Sequence, residues 1–302
     1  MKHVMVIMST YNGACYIERQ LDSIINQKDV KVSVFIRDDN SQDNTIEVIK
    51  EYITRKKIDN IKFISGKNVG YARSFWEALR LCEEADYYAF SDQDDIWNID
   101  KLLICINEID NDINIPQLSY CRMRRCDENL NVLSEQVNIL KDKDLTKKMV
   151  LTQTYNYGAA TVINHSAREL ILRCCPTSPL MPHDTWAGIL CFWFGEVKFV
   201  DEFLYDWIRY DSSVTGAGTK WSGKIYRIKA FFHGKSYPNV STDLLEFYSD
   251  LLEEKDVEFL TMLRDYKKKL KYKLMILFDK EFRRANWQGT IMLKLGVLLN
   301  QL

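Results

Sequence analysis

The sequence predicts an α/β fold in which a mostly parallel sheet carries helices on both faces. Four apolar runs of strand length occur along the first third of the chain, and each is followed by apolar residues at helical spacing. Runs that are apolar throughout are typical of strands that crossover helices bury on both faces. A chain of 302 residues, of which 46% are apolar, is long enough to bury such a core.

The four strand-and-helix units follow one another directly. The predicted strands are Val4–Met8, Val32–Ile36, Ile61–Ser65 and Tyr87–Ser91. The helices after them are indicated by Ile17, Leu21, Ile24 and Ile25, by Ile46, Ile49 and Ile53, by Phe75, Leu79 and Cys82, and by Leu102, Leu103, Ile106 and Ile109. Ligands of such sheets bind outside the carboxyl ends of the strands, so the loops after the strands are the candidates for a site.

Those loops are the most polar parts of this half of the chain. They are Ser9–Gly13, Asp38–Ser41, Asn68–Arg73 and Asp92–Asp95. Taken singly, Ser, Asp and Asn are ordinary N-caps and turn formers before helices. Together the loops converge on one edge of the predicted sheet, where the last loop places three carboxylates within four residues. Such hard oxygen ligands suit Mg²⁺ or Mn²⁺, and the absence of a dinucleotide fingerprint or a P-loop favours a metal that holds a diphosphate.

Composition excludes several classes of function. The net charge of −1 provides no overall field that would attract nucleic acid. The eight cysteines never form C-x-x-C, so we expect buried thiols of a reduced cytosolic protein and neither disulfides nor a zinc site. The first residues lack the pattern of a signal peptide, and no apolar run has the length of a membrane span. We therefore expect a cytoplasmic protein that is not integral to a membrane.

The region from residue 222 onward has long helix-like segments rich in basic and aromatic residues. Between Arg264 and Leu302 there are ten basic and three acidic residues, a local charge of +7. Such a stretch binds anionic lipid headgroups, which would make the protein peripheral at the inner face of the cytoplasmic membrane. Alternatively its apolar face packs on the rest of the chain and its basic face is solvated, and the two interpretations are compatible.

Five motifs in order resemble a known family. They are Ser9–Asn12, Asp38–Thr45, Asn68 with Gly70, Asp92–Asp94, and His183–Trp186 with the later segment from Asp201 to Gly216. This set resembles the family-two nucleotide-sugar glycosyltransferases of the GT-A fold and covers about two thirds of the chain. The string Phe90–Trp97 with Lys101 and Leu102 is similar to bacterial enzymes described as rhamnosyltransferases.

The resemblance implies a Rossmann-like GT-A catalytic domain over residues 1–221, with a nucleotide-sugar-binding half at 1–112 and an acceptor half at 113–221. A helical basic region at 222–302 would follow. The implied activity is inverting transfer of rhamnose or another hexose from a UDP- or dTDP-sugar to a hydroxyl of a growing, lipid-linked bacterial surface polysaccharide. One alternative is a non-catalytic membrane-associated module that binds sugar nucleotides. A sugar nucleotidyltransferase is disfavoured, because Ser9–Gly13 is not a basic, glycine-rich loop.

On the donor side, the resemblance implies that Asp39 accepts the imide N–H of uracil or thymine, which favours UDP or dTDP. It implies that Asp94, with Asp92, holds Mg²⁺ or Mn²⁺ that assists departure of the nucleoside diphosphate, and that Asp95 lies behind them. The predicted donor-binding residues are Thr10, Tyr11, Asp39, Asn68, Arg73 and Asp92.

On the acceptor side, the resemblance implies that Asp184 is the general base of a single displacement. The alternative is that Asp184 only caps an amphipathic helix whose apolar face carries Trp186, Ile189, Leu190 and Trp193. The candidates for contacts with the acceptor or the diphosphate are His183, Trp186, Arg209 and Tyr210.

Tyr210 departs from the family pattern, because related enzymes often have a histidine there that can contact the diphosphate or the metal. We expect Arg209 or Lys220 to supply the missing positive charge, or the metal to neutralise more of it, or activity to be reduced. Gly216–Gly218 is predicted to be the hinge of a loop that closes over the donor.

Overall fold

The computed structural model describes residues 1–109, 111–136, 139–210 and 239–302. Contacts between residues divide the chain into two compact units. The first comprises Met1–Asp142, Tyr155–Cys175 and Pro182–Tyr210, and the second comprises Lys143–Thr154, Pro176–Met181 and Asp211–Leu302. The predicted boundary between residues 221 and 222, Lys220 and the predicted hinge at Gly216–Gly218 lie outside the described residues.

The four predicted strand-and-helix units form the amino-terminal half of the first unit. The strands are β1 (His3–Thr10), β2 (Lys31–Asp38), β3 (Ile61–Ser65) and β4 (Tyr87–Ser91), in the order β3-β2-β1-β4 with parallel pairing throughout. The helices are α1 (Ile17–Ile25), α2 (Thr45–Lys56), α3 (Tyr71–Leu81) and α4 (Lys101–Asn107). The predicted fold class is confirmed, including the register that brings the strand ends to one edge.

The sheet continues beyond β4 with mixed pairing. The further strands are β5 (Ile96–Trp97), β6 (Gln117–Cys126), β7 (Val132–Glu135), β8 (Thr161–Asn164) and β9 (Glu196–Ile208). β8 lies antiparallel between β4 and β6, β9 runs parallel to β6, and β5 pairs antiparallel with β9. Pairing with β9 brings Ile96 and Trp97, just after the acidic loop, beside Asp206 and Tyr205.

Burial explains why these segments form a parallel core. Val4, Val6, Ile7 and Met8 of β1 have no exposed surface, as expected for a strand covered on both faces. The side chains of α1 that the spacing predicted to be buried, Ile17, Leu21 and Ile24, are also fully buried. The eight cysteines are free, and most are buried as predicted, but the prediction is wrong for Cys15, which is exposed because it lies in the loop before α1.

The remaining helices of the first unit are α6 (His165–Leu172) and α7 (His183–Phe194), while α5 (Lys147–Val150) belongs to the second unit. The prediction that α7 is amphipathic is wrong, since Thr185 to Cys191 are all buried. The N-cap alternative for Asp184 is also wrong: α7 begins at His183, its N-cap is Pro182, and Asp184 lies within the first turn.

The described C-terminal part is helical, as predicted. Its helices are α8 (Ser241–Phe247), α9 (Glu254–Asp265), α10 (Leu270–Phe278) and α11 (Trp287–Leu298). Among the described residues, no helix combines the length and the apolar character that crossing a bilayer requires.

Candidate active site

The ends of the parallel strands place the polar loops side by side. In the sheet register Thr10 pairs with Asp38, and Asp38 pairs with Ser65. Ser91, the last residue of β4, pairs with Met8. The four loops predicted from the sequence therefore start from one edge of the sheet.

Asp38 fastens this edge. Its Oδ1 accepts hydrogen bonds from the hydroxyls of Thr10, at 3.1 Å, and Ser41. Its Oδ2 accepts from the Ser41 amide at 3.0 Å and the Ser65 hydroxyl at 3.3 Å. Because the Thr10 side chain is fully buried in this network, the prediction that it binds the donor is wrong for its hydroxyl.

Asp39 is held by positive and polar partners. Arg37 Nη1 lies 2.6 Å from Asp39 Oδ1, and both side chains are 4% exposed. The amides of Val69 and Gly70 donate to Oδ1 and Oδ2, each at 2.9 Å. A carboxylate has about four acceptor positions, so these partners leave Asp39 capacity for one more donor. Asn68, a predicted donor contact, is exposed at the loop that Asp39 secures.

The loop after β1 is clasped to the acidic loop by Gln93. The Tyr11 amide donates to Gln93 Oε1 at 2.9 Å, and Gln93 Nε2 donates to the Tyr11 carbonyl at 3.1 Å. A β-carbon on Gly13 would collide with the Gln93 amide, so a larger residue there would displace the Gln93 side chain from this position. The Tyr11 side chain itself is 47% exposed and available to a ligand.

The acidic loop concentrates negative charge. Asp92 is an exposed residue whose carboxyl group has protein atoms close by. Burial and the charges of Asp94 and Asp184 raise the pKa of Asp92 to about 7. Burial also raises the pKa of Asp94, although the guanidinium of Arg209 opposes the shift.

Asp95 lies behind this loop with a buried lysine. Burial and the charges of Asp92 and Asp94 raise the pKa of Asp95 well above its ordinary range, and Lys101 opposes that shift. Lys101 Nζ lies 3.4 Å from the centre of the Trp97 ring, a cation–π contact. Within the described part of the chain, neither Lys101 Nζ nor Asp95 Oδ1 has a hydrogen-bond partner.

Asp184 enters the same cleft from the first turn of α7. Gly158 donates its amide to Asp184 Oδ2 at 2.9 Å, and the Thr185 amide donates to Oδ1 at 2.6 Å. A β-carbon at Gly158 would lie 2.8 Å from His183 Nε2, so glycine permits this close approach. Burial raises the pKa of Tyr71, and the charges of Asp184 and Asp92 raise it further, so both carboxylates act on this side chain.

His183 is an uncharged ring in aromatic surroundings. It stacks on Phe75 at a centroid distance of 3.8 Å and meets the edge of Phe90 at 4.8 Å. Burial lowers the pKa of His183 to about 4, although Asp184 opposes this. Its two nitrogens have no hydrogen-bond partner among the described residues, so His183 does not orient Asp184 by hydrogen bonding.

Two other residues that were predicted to contact a ligand, Trp186 and Arg73, have partners within the protein. Trp186 is 1% exposed and its Nε1 donates to the Cys174 carbonyl at 3.2 Å, so the prediction that it contacts an acceptor is wrong. Arg73 lies against the Trp76 ring at 5.0 Å and donates to Cys175 Sγ at 2.6 Å.

Tyr210 is in contact with a positively charged residue, Arg19, that the sequence did not indicate. Arg19 Nη2 donates to the Tyr210 hydroxyl, and the rings of Tyr210 and Tyr16 are 4.1 Å apart. Burial raises the pKa of Tyr210, with a further contribution from the charge of Asp94, while Arg19 opposes the shift. Arg209 therefore acts on the acidic loop directly, while Arg19 contacts Tyr210, which is near Asp94.

Comparison with known proteins decides the family. The sequence model of glycosyl transferase family 2 matches residues 5–171, more than half of the chain. The chain belongs to this family. The matched range includes Asp39, Asp92 and Asp94 and ends before Asp184 and Tyr210.

Individual relatives of this family 2 glycosyltransferase match in part. The dTDP-rhamnosyl transferase RfbG of Shigella flexneri is 47% identical over 98 residues, which make up 32% of this chain and 34% of that protein. The matched stretch is thus about a third of the curated relative.

Two solved structures share the fold at low identity. S. aureus TarS 1-349 in complex with UDP-GlcNAc has a TM-score of 0.60 and 16% identity, over 100% of this chain and 80% of that chain. The mannosyltransferase PcManGT from Pyrobaculum calidifontis, in complex with GDP-Man and Mn²⁺, has a TM-score of 0.54 and 16% identity, over 98% and 85% of the two chains. The likeness shows that this family 2 enzyme has the GT-A fold.

Several residues that build the site escaped the sequence analysis. Gln93 and Gly158 act through partners far away in the chain, and Arg37 contacts Glu77, 40 positions away, as well as the nearby Asp39, so no local pattern indicates these roles. Lys101 was noted only as part of the rhamnosyltransferase-like string. Among the described residues, no three His, Cys, Asp or Glu side chains converge into a ready-made metal site.

Proposed function

We propose that this family 2 glycosyltransferase moves rhamnose or another hexose, with inversion, from a UDP- or dTDP-sugar to a hydroxyl of a growing, lipid-linked bacterial surface polysaccharide. The observation that supports this most is the placement of Asp184 opposite the acidic loop, close enough for its charge to raise the pKa of Asp92. A carboxylate for the acceptor and a carboxylate loop for the donor diphosphate thus border the same space.

The donor base would bind at Asp39. Its carboxylate has capacity for one more hydrogen bond, which the imide N–H of uracil or thymine would supply. A ring without that donor would leave the buried carboxylate unpaired at this position. Exposed Tyr11 and Asn68 flank the base or the ribose in this proposal, and the name of RfbG supports dTDP as the nucleotide.

The chemistry of the acidic loop fits a divalent cation. Burial raises the pKa values of Asp92 and Asp94, and a bound cation would favour the charged forms of both carboxylates. Asp94 and Asp92 would hold Mg²⁺ or Mn²⁺, as hard oxygen ligands suit these ions, and the manganese complex of PcManGT supports this. When bound, the cation would neutralise charge on the departing nucleoside diphosphate.

Asp184 would act as the general base. The amide and hydroxyl of Thr185 donate to its Oδ1, and the Gly158 amide donates to its Oδ2, which leaves a lone pair of Oδ2 for the acceptor hydroxyl. As the acceptor oxygen bonds to the anomeric carbon, Asp184 takes its proton, and the bond from that carbon to the diphosphate oxygen breaks. The electron pair leaves with the nucleoside diphosphate, and a single displacement inverts the anomeric centre.

Arg19 and Arg209 would supply the positive charge that the family histidine provides elsewhere. The Tyr210 phenol accepts a hydrogen bond from Arg19 and keeps that guanidinium at the position where a histidine would stand. Arg209 acts on Asp94 from the same side. In this proposal Tyr210 positions the Arg19 guanidinium by a hydrogen bond, and the enzyme remains active.

A donor screen tests the proposal without knowledge of the acceptor. The full chain is incubated with UDP-, dTDP-, GDP- and ADP-sugars, with and without Mn²⁺, and both melting temperature and slow donor hydrolysis are followed. UDP or dTDP compounds should raise the melting temperature, because a ligand that binds only the folded state stabilises it. Equal protection by GDP compounds would refute the role of Asp39. Protection without any hydrolysis or transfer would favour the non-catalytic binding module.

A further inference from the structure

The last two helices of the second unit each expose an apolar face. In α10 the exposed residues are Leu270, Leu274, Met275 and Phe278, and in α11 they are Trp287, Ile291, Met292, Leu295, Leu298 and Leu299. Within each set, successive exposed positions are separated by one, three or four residues. This spacing keeps them on one side of a helix, where they form a continuous apolar stripe. Phe278 is 79% exposed and Trp287 is 70% exposed, which is unusual for such large apolar side chains.

The two helices are packed together by their other sides. Ile276 of α10 and Leu293 and Val297 of α11 are buried. Lys294 Nζ donates to the carbonyls of Ile276 and Asp279, at 2.6 and 2.8 Å. The apolar stripes are thus the outer sides of a helix pair that is already packed.

Basic side chains flank the exposed stripes. The exposed ones are Lys267, Lys268, Lys269, Lys271, Lys280 and Arg283. The acidic residues of the same stretch have partners: Asp265 pairs with Arg264 at 2.8 Å, and Asp279 pairs with Lys148 at 2.7 Å. Glu281 pairs with Lys148 at 3.0 Å. The surface around the stripes therefore carries a net positive charge.

We infer that the outer faces of α10 and α11 dock on an anionic lipid bilayer. Apolar side chains beside lysines are the combination that holds a helix in the plane of a membrane interface, with the apolar face among the acyl chains and the ammonium groups at the phosphates. Charge complementarity favours this occupant over a second copy of the chain, since symmetric pairing would bring two lysine clusters of the same sign together.

The test is co-sedimentation of the full chain with phosphatidylcholine vesicles that either contain or lack phosphatidylglycerol. Binding should require the anionic lipid and should fade as salt is raised, because salt screens the headgroup attraction. Phe278→Gln and Trp287→Gln should each weaken binding by about tenfold or more, given the apolar area they would bury. Lys268→Glu with Lys271→Glu should weaken binding mainly at low salt.

Matched controls lie away from the stripes. Ile113→Gln removes a 70% exposed apolar side chain of the first unit, and Lys50→Glu reverses an exposed charge on α2. Both should bind vesicles as the unchanged chain does, and melting temperatures confirm that all variants fold. Absent or lipid-independent binding would overturn the inference, as would binding that Phe278→Gln and Trp287→Gln leave unchanged. A dimer in solution that Trp287→Gln dissociates would assign the stripes to a second copy instead.

Discussion

Two groups of aspartates at the same edge of the sheet differ in how their charge is compensated. Asp38 and Asp39, after β2, accept hydrogen bonds from hydroxyls, backbone amides and the guanidinium of Arg37. Asp92, Asp94 and Asp95, after β4, crowd one another, and burial raises the pKa of each. Both groups follow parallel strands. Among the described residues, Asp38 has a partner at all four of its acceptor positions and Asp39 keeps room for one more donor, whereas the carboxylates of the second group crowd one another.

This difference distinguishes carboxylates that hold the fold together from carboxylates that are available to a bound cation. Carboxylates that the protein fully engages hold the loops in place, and removing one leaves several donors without a partner. Carboxylates that remain crowded destabilise the unliganded protein and become favourable only when a cation joins them. The two groups should therefore respond in opposite ways to neutral substitutions.

The largest expected effect is on activity, at Asp94. Asp94→Asn keeps the shape of the side chain and removes an anionic ligand, so transfer should fall by about 10³-fold or more, given the several kcal/mol that a catalytic metal supplies. Folding should not suffer, because the substitution also relieves crowding. Donor turnover, Mn²⁺ titration and melting temperature measure these three effects.

The exposed Asp59 provides the control for that variant, since Asp59→Asn should change neither turnover nor metal affinity. Full activity of the unchanged protein in excess chelator would contradict the claim that the aspartates after β4 bind a cation, and with it the difference between the two groups.

The next effect is on stability, at Asp38. Asp38→Ala leaves the hydroxyls of Thr10, Ser41 and Ser65 without their acceptor, which should lower the free energy of unfolding by about 3 kcal/mol. Urea denaturation measures it, with Asp59→Ala as the exposed control. If Asp38→Ala unfolds no more easily than Asp59→Ala, the network at this edge does not hold the loops.

The smallest effect is a pH dependence at His183. Its pKa is lowered from 6.5 to about 4 in the folded protein, so between these values the unfolded chain binds the extra proton. Stability is therefore complete above about pH 6.5 and falls progressively as the pH drops toward 4. His183→Gln should flatten this part of the melting-temperature profile.

The comparison for His183→Gln is made at pH 7.5, where the ring is neutral in both states and only packing differs. An unchanged acid slope in the variant would mean that His183 is not kept neutral by its aromatic neighbours.

Much of this architecture was predictable because it depends on local pattern. Apolar runs followed by residues at helical spacing predicted β1 to β4. Because parallel strands end at the same edge of a sheet, the same pattern also predicted that Asp38 and Asp92 lie at one edge. The alternative that Asp184 only caps α7 is wrong, because an aspartate before an apolar helix resembles an N-cap, whereas the cap of α7 is Pro182, two residues earlier. Trp186 was misassigned because helical spacing cannot distinguish a cleft wall from a core.

Other features could not be predicted from the sequence because they depend on pairing across the fold. Gln93 clasps a loop 82 positions away, and Arg19 meets Tyr210 across 191 positions. The close approach of Gly158 to His183 likewise depends on the fold, because it brings the short 3₁₀ helix Gly158–Ala160 next to the start of α7. The charge balance of the acidic loop depends on all of these neighbours.

The role of Asp184 is tested most directly by the turnover of Asp184→Asn with a donor and acceptor on which the unchanged enzyme is active. The amide cannot take a proton, and its single oxygen can accept from Gly158 but not also replace the second oxygen that accepts from Thr185. Nucleotide protection should therefore persist and the melting temperature should fall only slightly, while transfer falls by about 10²–10⁴-fold. Transfer at a near-normal rate, in a variant that still folds and binds the donor, would contradict the assignment and remove Asp184 from the mechanism.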